Sequence, residues 1–277
     1  AKFIPWWEDD YENSYYIYSI FEQQTIEEVK LCIAECAKEE LLAPVSRIGL
    51  TLFHLLVWHN FYDVVKELLC NGTITEEEVN LPDLKGNGLT PLLLTCLYGN
   101  LSMAKLLLEH GADDSVCDKR GMNAFHFLAY ARFEGVELAS ACVEHSLDQR
   151  AGIARLLNCD INQKAENGMT PLARLVSGEY SSDYTWKLSE IFLEKGAATD
   201  YVDEDGNTLL LLALKNSHRT AALKLMERSP YLLNVANKQG VTPVSHTVYF
   251  HNEAMYIALT DHGAAPADKS EIDLFPL

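Results

Sequence analysis

The chain has 277 residues, 48% of them hydrophobic and 22% charged; that is enough apolar material for a sizeable core and rules out disorder as its overall state. Asp and Glu number 40 against 22 Lys and Arg, a formal net charge of −18, which repels phosphate backbones and excludes nucleic acid and anionic membrane surfaces as partners. No apolar stretch approaches the ~20 residues needed to cross a bilayer, and seven scattered cysteines, an odd number in a chain this long, read as reduced, buried thiols rather than a disulfide scaffold.

The first 46 residues stand apart from the rest. The stretch AKFIPWWEDDYENSYY has no basic flank followed by an apolar run and does not read as a signal peptide. Its run of Trp6, Trp7, Tyr11, Tyr15, Tyr16 and Tyr18 is too aromatic for a simple linker. Thr25 is placed to cap a helix in which Ile26, Val29, Ile33 and Ala37 share one face.

From residue 47 onward one pattern recurs. GLTLFH opens at Gly49, GLTPLL at Gly88, GMNAFH at Gly121, GMTPLA at Gly168, GNTLLL at Gly206 and GVTPVS at Gly240. The spacings are 39, 33, 47, 38 and 34 residues, so the base period is about 33 with insertions. In the most regular copy, Gly88 lets the chain turn with a positive φ, Thr90 caps a helix and Pro91 takes its first position, where a missing N–H costs nothing. Leu92, Thr95 and Cys96 lie at helical spacing toward a core, and Gly99 and Asn100 are expected to end that helix. A second helix carries Met103, Leu106 and Leu107, and Gly111 closes it in the left-handed conformation. Residues 115–121 then reverse as a hairpin-like finger. One such pair of helices cannot bury its own apolar face, so the units are expected to stack.

Three insertions interrupt the period. TITEEEVN at 73–80 follows the second helix of the first unit, with Thr75 before three glutamates as a capped short helix. FEGVELASACVEHSLDQ at 133–149 has helical apolar spacing and extends or adds a helix. GEYSSDY at 178–184 lengthens the turn inside its unit.

Six spaced openings, G-x-T-P-L or variants of it, with a downstream L-L…G-A resemble the ankyrin repeat family, nearly completely at 88–113 and least at Gly121, where Asn123-Ala124 stands for Thr-Pro. The resemblance implies an all-α ankyrin-repeat solenoid of about six repeats. These open near 47, 85, 118, 165, 203 and 237 and span 47–268, with an N-terminal helical cap at 1–46 and a tail at 269–277. It implies that His54 and His126 tie neighbouring turns by hydrogen bonds. It also implies that partners bind at the finger tips and on the concave face of the first helices. The concave positions are the residue after each leading glycine and the two at the end of each first helix. They are Leu50, Trp58, His59; Leu89, Leu97, Tyr98; Met122, Tyr130, Ala131; Met169, Ser177, Gly178; Asn207, Lys215, Asn216; and Val241, Tyr249, Phe250. Trp58, Tyr98 and Tyr130 come from successive repeats and are expected to form an aromatic stripe suited to a binding hot spot. The finger tips carry Asp83, Lys85, Asp118, Arg120, Asp203 and Asp205, a mostly acidic rim that suits a partner with a basic flank.

Nothing in the pattern carries chemistry. There is no H-E-x-x-H, no paired C-x-x-C, no G-x-S-x-G, no phosphate loop and no dinucleotide fingerprint. Cys32 and Cys36, four apart, read as buried thiols rather than half a metal site, and the clusters Glu8, Asp9, Asp10 and Glu76–Glu78 as solvated acidic faces. The expectation is therefore a monomeric, cytoplasmic, non-catalytic protein-interaction module without metal or cofactor. It binds a protein or peptide as a scaffold, an inhibitor or, in a bacterium that injects hosts, an effector in the host cytosol. The alternative is the recruiting arm of a larger enzyme whose catalytic domain is absent from this chain.

Overall fold

The computed structural model describes residues 26–46, 48–130, 140–178 and 183–268. Thr25, the aromatic run at 6–18, Ala131, the start of the 133–149 insertion and the tail at 269–277 lie outside the described residues. Helices account for all the regular structure among the described residues, with isolated bridges at Pro44–Thr51 and Val202–Thr208.

Helix α1 (Ile26–Glu35) and the short α2 (Lys38–Leu41) come first. Val29, Ile33 and Leu41 are buried in one cluster with Phe53, Leu56, Val64, Val65 and Leu68. Ala37 departs from the expected face. It is exposed, and its N–H donates to Glu40 Oε2 at 2.8 Å as the start of α2.

Helix pairs then follow in order: α3 (Leu52–Trp58) with α4 (Tyr62–Cys70), α5 (Pro91–Tyr98) with α6 (Leu101–Glu109), α7 (Ala124–Ala129) followed by α8 (Ser140–Leu156), α9 (Pro171–Ser177) with α10 (Asp183–Glu194), α11 (Leu209–Lys215) with α12 (Arg219–Arg228), and α13 (Pro243–Tyr249) with α14 (Glu253–Asp261). The first helix of each pair starts on the same device. Thr51, Thr90, Thr170, Thr208 and Thr242 each accept, at the side-chain oxygen, the N–H three residues on. Asn123 does the same for His126, at 3.3 Å, so the departure from Thr-Pro keeps the cap. Gly99 ends α5 in the left-handed conformation, as expected. Asn100 closes α5 as expected, its N–H donating to the Thr95 carbonyl at 3.3 Å, and also opens α6, its Oδ1 accepting the N–H of Met103 at 3.0 Å. The backbone N–H serves the helix before it and the side chain the helix after it.

The helices are short, and helices of seven or eight residues do not persist alone in water. Packing holds them. Helix α5 is buried from Pro91 through Leu97 and α11 from Leu209 through Leu214, the all-round burial of helices flanked on both sides. The chain divides into two compact units. In the first, residues up to 128 with 156–159, α3 packs on α5, α4 on α6, and the members of each pair on each other. In the second, residues 129–155 and 160 onward, α9 packs on α11 and α11 on α13, while α10 meets α12 and α12 meets α14. Helix α8 runs 17 residues, so the described part of the 133–149 insertion extends a helix.

Asparagines lock neighbouring pairs from behind. Asn80 donates to the Gly111 carbonyl at 2.8 Å and accepts from Asp113 N–H at 2.7 Å. Asn162 donates to Gly196 at 3.1 Å and accepts from Ala198 at 2.8 Å. Asn234 accepts from Ala265 at 2.8 Å. Asn80 ends a 3-10 turn, Glu78–Asn80, which is the form the expected short helix takes. Thr75 Oγ1 receives the Glu78 N–H at 3.4 Å there, and the Glu78 carboxylate accepts from Thr75 N–H at 2.9 Å.

Candidate interaction surface

Trp58 is the last residue of α3 and Tyr98 the last of α5. Because α3 packs on α5, their rings stack, 5.4 Å between centroids and 29° apart. His59 also stacks with Trp58, at 6.0 Å and 9°. Tyr98 is 45% exposed, with Trp58 and His59 half-buried. The recess lined by Ile48, Trp58, Leu89, Leu94, Leu97 and Tyr98 holds only about 10 Å³, so the three rings form a platform and not a pocket.

The second unit carries its own cluster. Tyr130 is half-buried, and the Arg174 guanidinium carbon lies 4.5 Å above its ring. Tyr249 and Phe250, at the end of α13, are 38% and 60% exposed and meet edge to face at 4.9 Å. Phe250 also packs on His246 at 4.6 Å. Met169 is half-buried, with the Ser177 hydroxyl 4.0 Å from its sulfur.

Other expected contact residues are turned inward. Leu89 and Met122 are 2% and 6% exposed, and Leu50, Leu97, Asn207 and Val241 are buried as well. The reason is the finger hairpin. The residue after the leading glycine closes it by backbone bonds: Asp83 N–H donates to Leu89 O at 2.9 Å, and Asp118 N–H to Met122 O at 2.9 Å. That residue precedes the helix cap, and its side chain falls into the core under the helix that follows. Among the expected contact residues, the exposed aromatic ones, Tyr98, Tyr249 and Phe250, stand at the ends of first helices.

Asp83 and Asp118 are likewise buried rather than displayed at the tips. The Asp83 carboxylate accepts from the N–H groups of Lys85, Asn87 and Leu89 and from the Asn87 amide, at 2.8–3.2 Å. Asp118 Oδ1 accepts from Arg120 and Met122 N–H at 2.9 and 2.8 Å. Asp203 is half-buried and holds Asp205 and Asn207 the same way, at 3.0 and 2.7 Å. Asn237 repeats the device on Gln239 and Val241. The signal was present: an Asp or Asn three residues before a glycine (Gly86, Gly121, Gly206, Gly240) is the Asx-turn pattern. Lys85 and Asp205 remain exposed, and Arg120 is half-buried.

His54 is buried at the seam between two pairs. Its Nε2 donates to the Leu89 carbonyl at 3.1 Å, and its Nδ1 lies 3.3 Å from Thr51 N and 2.7 Å from Thr51 Oγ1. The inter-turn tie expected of this histidine is present. Burial pushes its pKa from 6.5 down to about 4, against the opposing pull of the Leu89 carbonyl and Asp83. Cys159 is pushed up to about 12 by burial and by Asp114, and Cys117 is raised by burial and Asp118, so neither thiol ionises readily. Among the described residues, no group of three or more His, Cys, Asp or Glu is placed to hold a metal ion, and no helix is long and apolar enough to cross a membrane.

Residues 53–151 match the family model of ankyrin repeats, in three copies. That stretch of the chain carries ankyrin repeats. It is 26% identical over 197 residues to the phosphocholine transferase AnkX of Legionella pneumophila, covering 71% of this chain but 19% of that protein. It is 42% identical over 77 residues to the poly(ADP-ribose) polymerase tankyrase of Caenorhabditis elegans, covering 27% of this chain and 3% of that protein. Against the ankyrin repeat protein YahD of Escherichia coli it is 25% identical over 205 residues, 74% of this chain and 91% of that one. The chain thus spans about a fifth or less of the length of two of these relatives.

Proposed function

We propose that the chain is a non-catalytic protein–protein interaction module that binds a partner protein or peptide through the ends of its first helices and its finger tips. In this reading all six helix pairs are ankyrin repeats of one solenoid over 47–268, with 1–46 as an N-terminal cap and 269–277 as a tail, acting as a monomer in a cytosol. The carrying observation is the platform of Trp58 with His59 and Tyr98. Large, rigid rings of this kind bury much area at small entropic cost and dominate binding energies. The exposed Asp205 and Glu204 supply an acidic rim for a partner's basic flank.

The Trp58→Ala, Tyr98→Ala double variant tests this. A partner captured by pull-down from a relevant lysate is expected to bind it more weakly by over ~2 kcal/mol, with thermal unfolding nearly unchanged. Full-affinity binding by the folded double variant overturns the assignment. A second reading, the recruiting arm of a larger enzyme, is supported by the partial overlap with two much longer relatives named as transferase and polymerase. The open reading frame around the chain separates the two readings: a contiguous catalytic domain favours the second.

A further inference from the structure

We propose that Cys70 and His110 form a base-assisted nucleophilic pair, a site at which small-molecule disulfides exchange with the chain and leave a mixed disulfide on Cys70. This goes beyond the reading of the chain as an interaction module and does not depend on it. Cys70 is the last residue of α4, and His110 follows the last residue of α6. Because α4 packs on α6, these two second-helix ends come together. The Cys70 sulfur lies 3.7 Å from His110 Nε2. Of the described free cysteines, Cys70 is the exposed one, so a reagent in solution reaches it.

The imidazole is held in one working orientation. His110 Nδ1 lies 2.9 Å from the Leu106 carbonyl oxygen. A carbonyl only accepts, so its partner nitrogen carries a proton. In the neutral ring the lone pair is then on Nε2, which faces the thiol as an acceptor. A nucleophile beside a base that a third group orients is the arrangement that activates sulfur for attack.

The surroundings select the kind of reaction. Acyl transfer passes through an oxyanion and needs N–H groups aimed at it. Here the backbone N–H groups at the two helix ends are already spent: those of Asn71, Gly72 and Gly111 donate to the Glu67, Leu69 and Leu108 carbonyls at 3.0–3.2 Å. Disulfide exchange needs no oxyanion support, only an accessible sulfur, loss of its proton and a thiol leaving group. His110 Nε2 takes the Cys70 proton as the Cys70 sulfur attacks one sulfur of the reagent. A new S–S bond forms and the reagent's own S–S bond breaks. Its electron pair leaves on the departing sulfur, which takes the proton back from the imidazolium. Cys70 is oxidised to the mixed disulfide while the departing half is reduced to a thiol, so the reagent itself is the oxidant.

The test treats the full chain with hydroxyethyl disulfide, a neutral reagent that the chain's charge of −18 neither attracts nor repels. Mixed disulfide at each cysteine is followed by mass spectrometry of the peptides for the native chain, His110→Gln and Cys70→Ser. The native chain is expected to form the adduct on Cys70, and Cys70→Ser to lose this fast adduct. His110→Gln is expected to form it about tenfold or more slowly. Its rate climbs more steeply with pH than the native rate, because the thiol then gives its proton only to solvent. Imidazole added to the buffer is expected to restore part of the His110→Gln rate, which a merely structural loss would not allow. If Cys70 forms no adduct, or if His110→Gln matches the native rate and pH profile, the proposal falls while the interaction module stands.

Discussion

Acidification reaches the seam between the first two helix pairs through His54. The Thr51 N–H points at Nδ1 and Nε2 points at the Leu89 carbonyl, so the partners assign a neutral ring with its proton on Nε2. Protonating Nδ1 sets two N–H groups against each other and places a charge in the core. Burial, partly offset by the Leu89 carbonyl and Asp83, therefore lowers the folded pKa to about 4 from 6.5. The unfolded chain takes up the proton first. Stability from this residue is fully present above about pH 6.5 and is lost as pH falls toward 4. At about 1.36 kcal/mol per pH unit the gap amounts to about 3 kcal/mol. His246, lowered to about 4 by burial and then by Lys215, acts in the same window. Urea unfolding across this range, for the native chain and His54→Gln, isolates the ring, because the carboxylates titrate alike in both. Gln can still donate to Leu89 O but takes up no proton. The variant is expected to start less stable and to lose less as pH falls. Parallel stability curves, or a His54 NMR titration midpoint near 6.5 in the folded protein, refute the reasoning.

Gly88→Ala is expected to cost about 2–4 kcal/mol. Its φ is +81°, and a Cβ there would stand 2.9 Å from Asp118 Cα in the next finger. Gly72→Ala, at φ +75° with nothing within 4 Å, is expected to lose only about 1 kcal/mol; equal losses in urea melts would remove the finger contact from the account. Asp83→Ala strands four N–H donors of its own finger and is expected to destabilise by roughly 2–4 kcal/mol, read as a lower unfolding midpoint; an unchanged midpoint counts against the buried staple. Alkylation at mild pH is expected to modify the exposed Cys70 well before Cys159, whose thiol is raised to about 12. Mass spectrometry of the peptides checks the order.

Much of this molecule is local, and what is local was legible. Thr90 and Pro91 start a helix by satisfying or dispensing with N–H groups of the same turn, and Gly99 ends it by taking φ 73°. The aromatic platform was legible for a related reason: Trp58 and Tyr98 recur at equivalent positions of adjacent repeats, so stacked helices bring them together. The inward turn of Leu89 and Met122 was not legible from the period. It depends on backbone bonds across each finger hairpin and on the helix under which the side chain falls. The turns between helices differ too. Asn60, Ser217 and His251 hold φ of 57°, 59° and 53° where a glycine was to be expected, a local cost that surrounding packing overrides.

By itself, the sequence determined the repeat, the helix starts and the sign of the overall charge, because each depends on residues a few positions apart. Tertiary structure alone decided how the charge is distributed. Buried Asp83 and Asp118 serve their own fingers, while Asp205 and Glu204 stay exposed. A linear reading counts carboxylates equally, whereas folding divides them into those sealed in hydrogen bonds and those left exposed to solvent. That division depends on which backbone N–H groups the fold brings within reach of each oxygen.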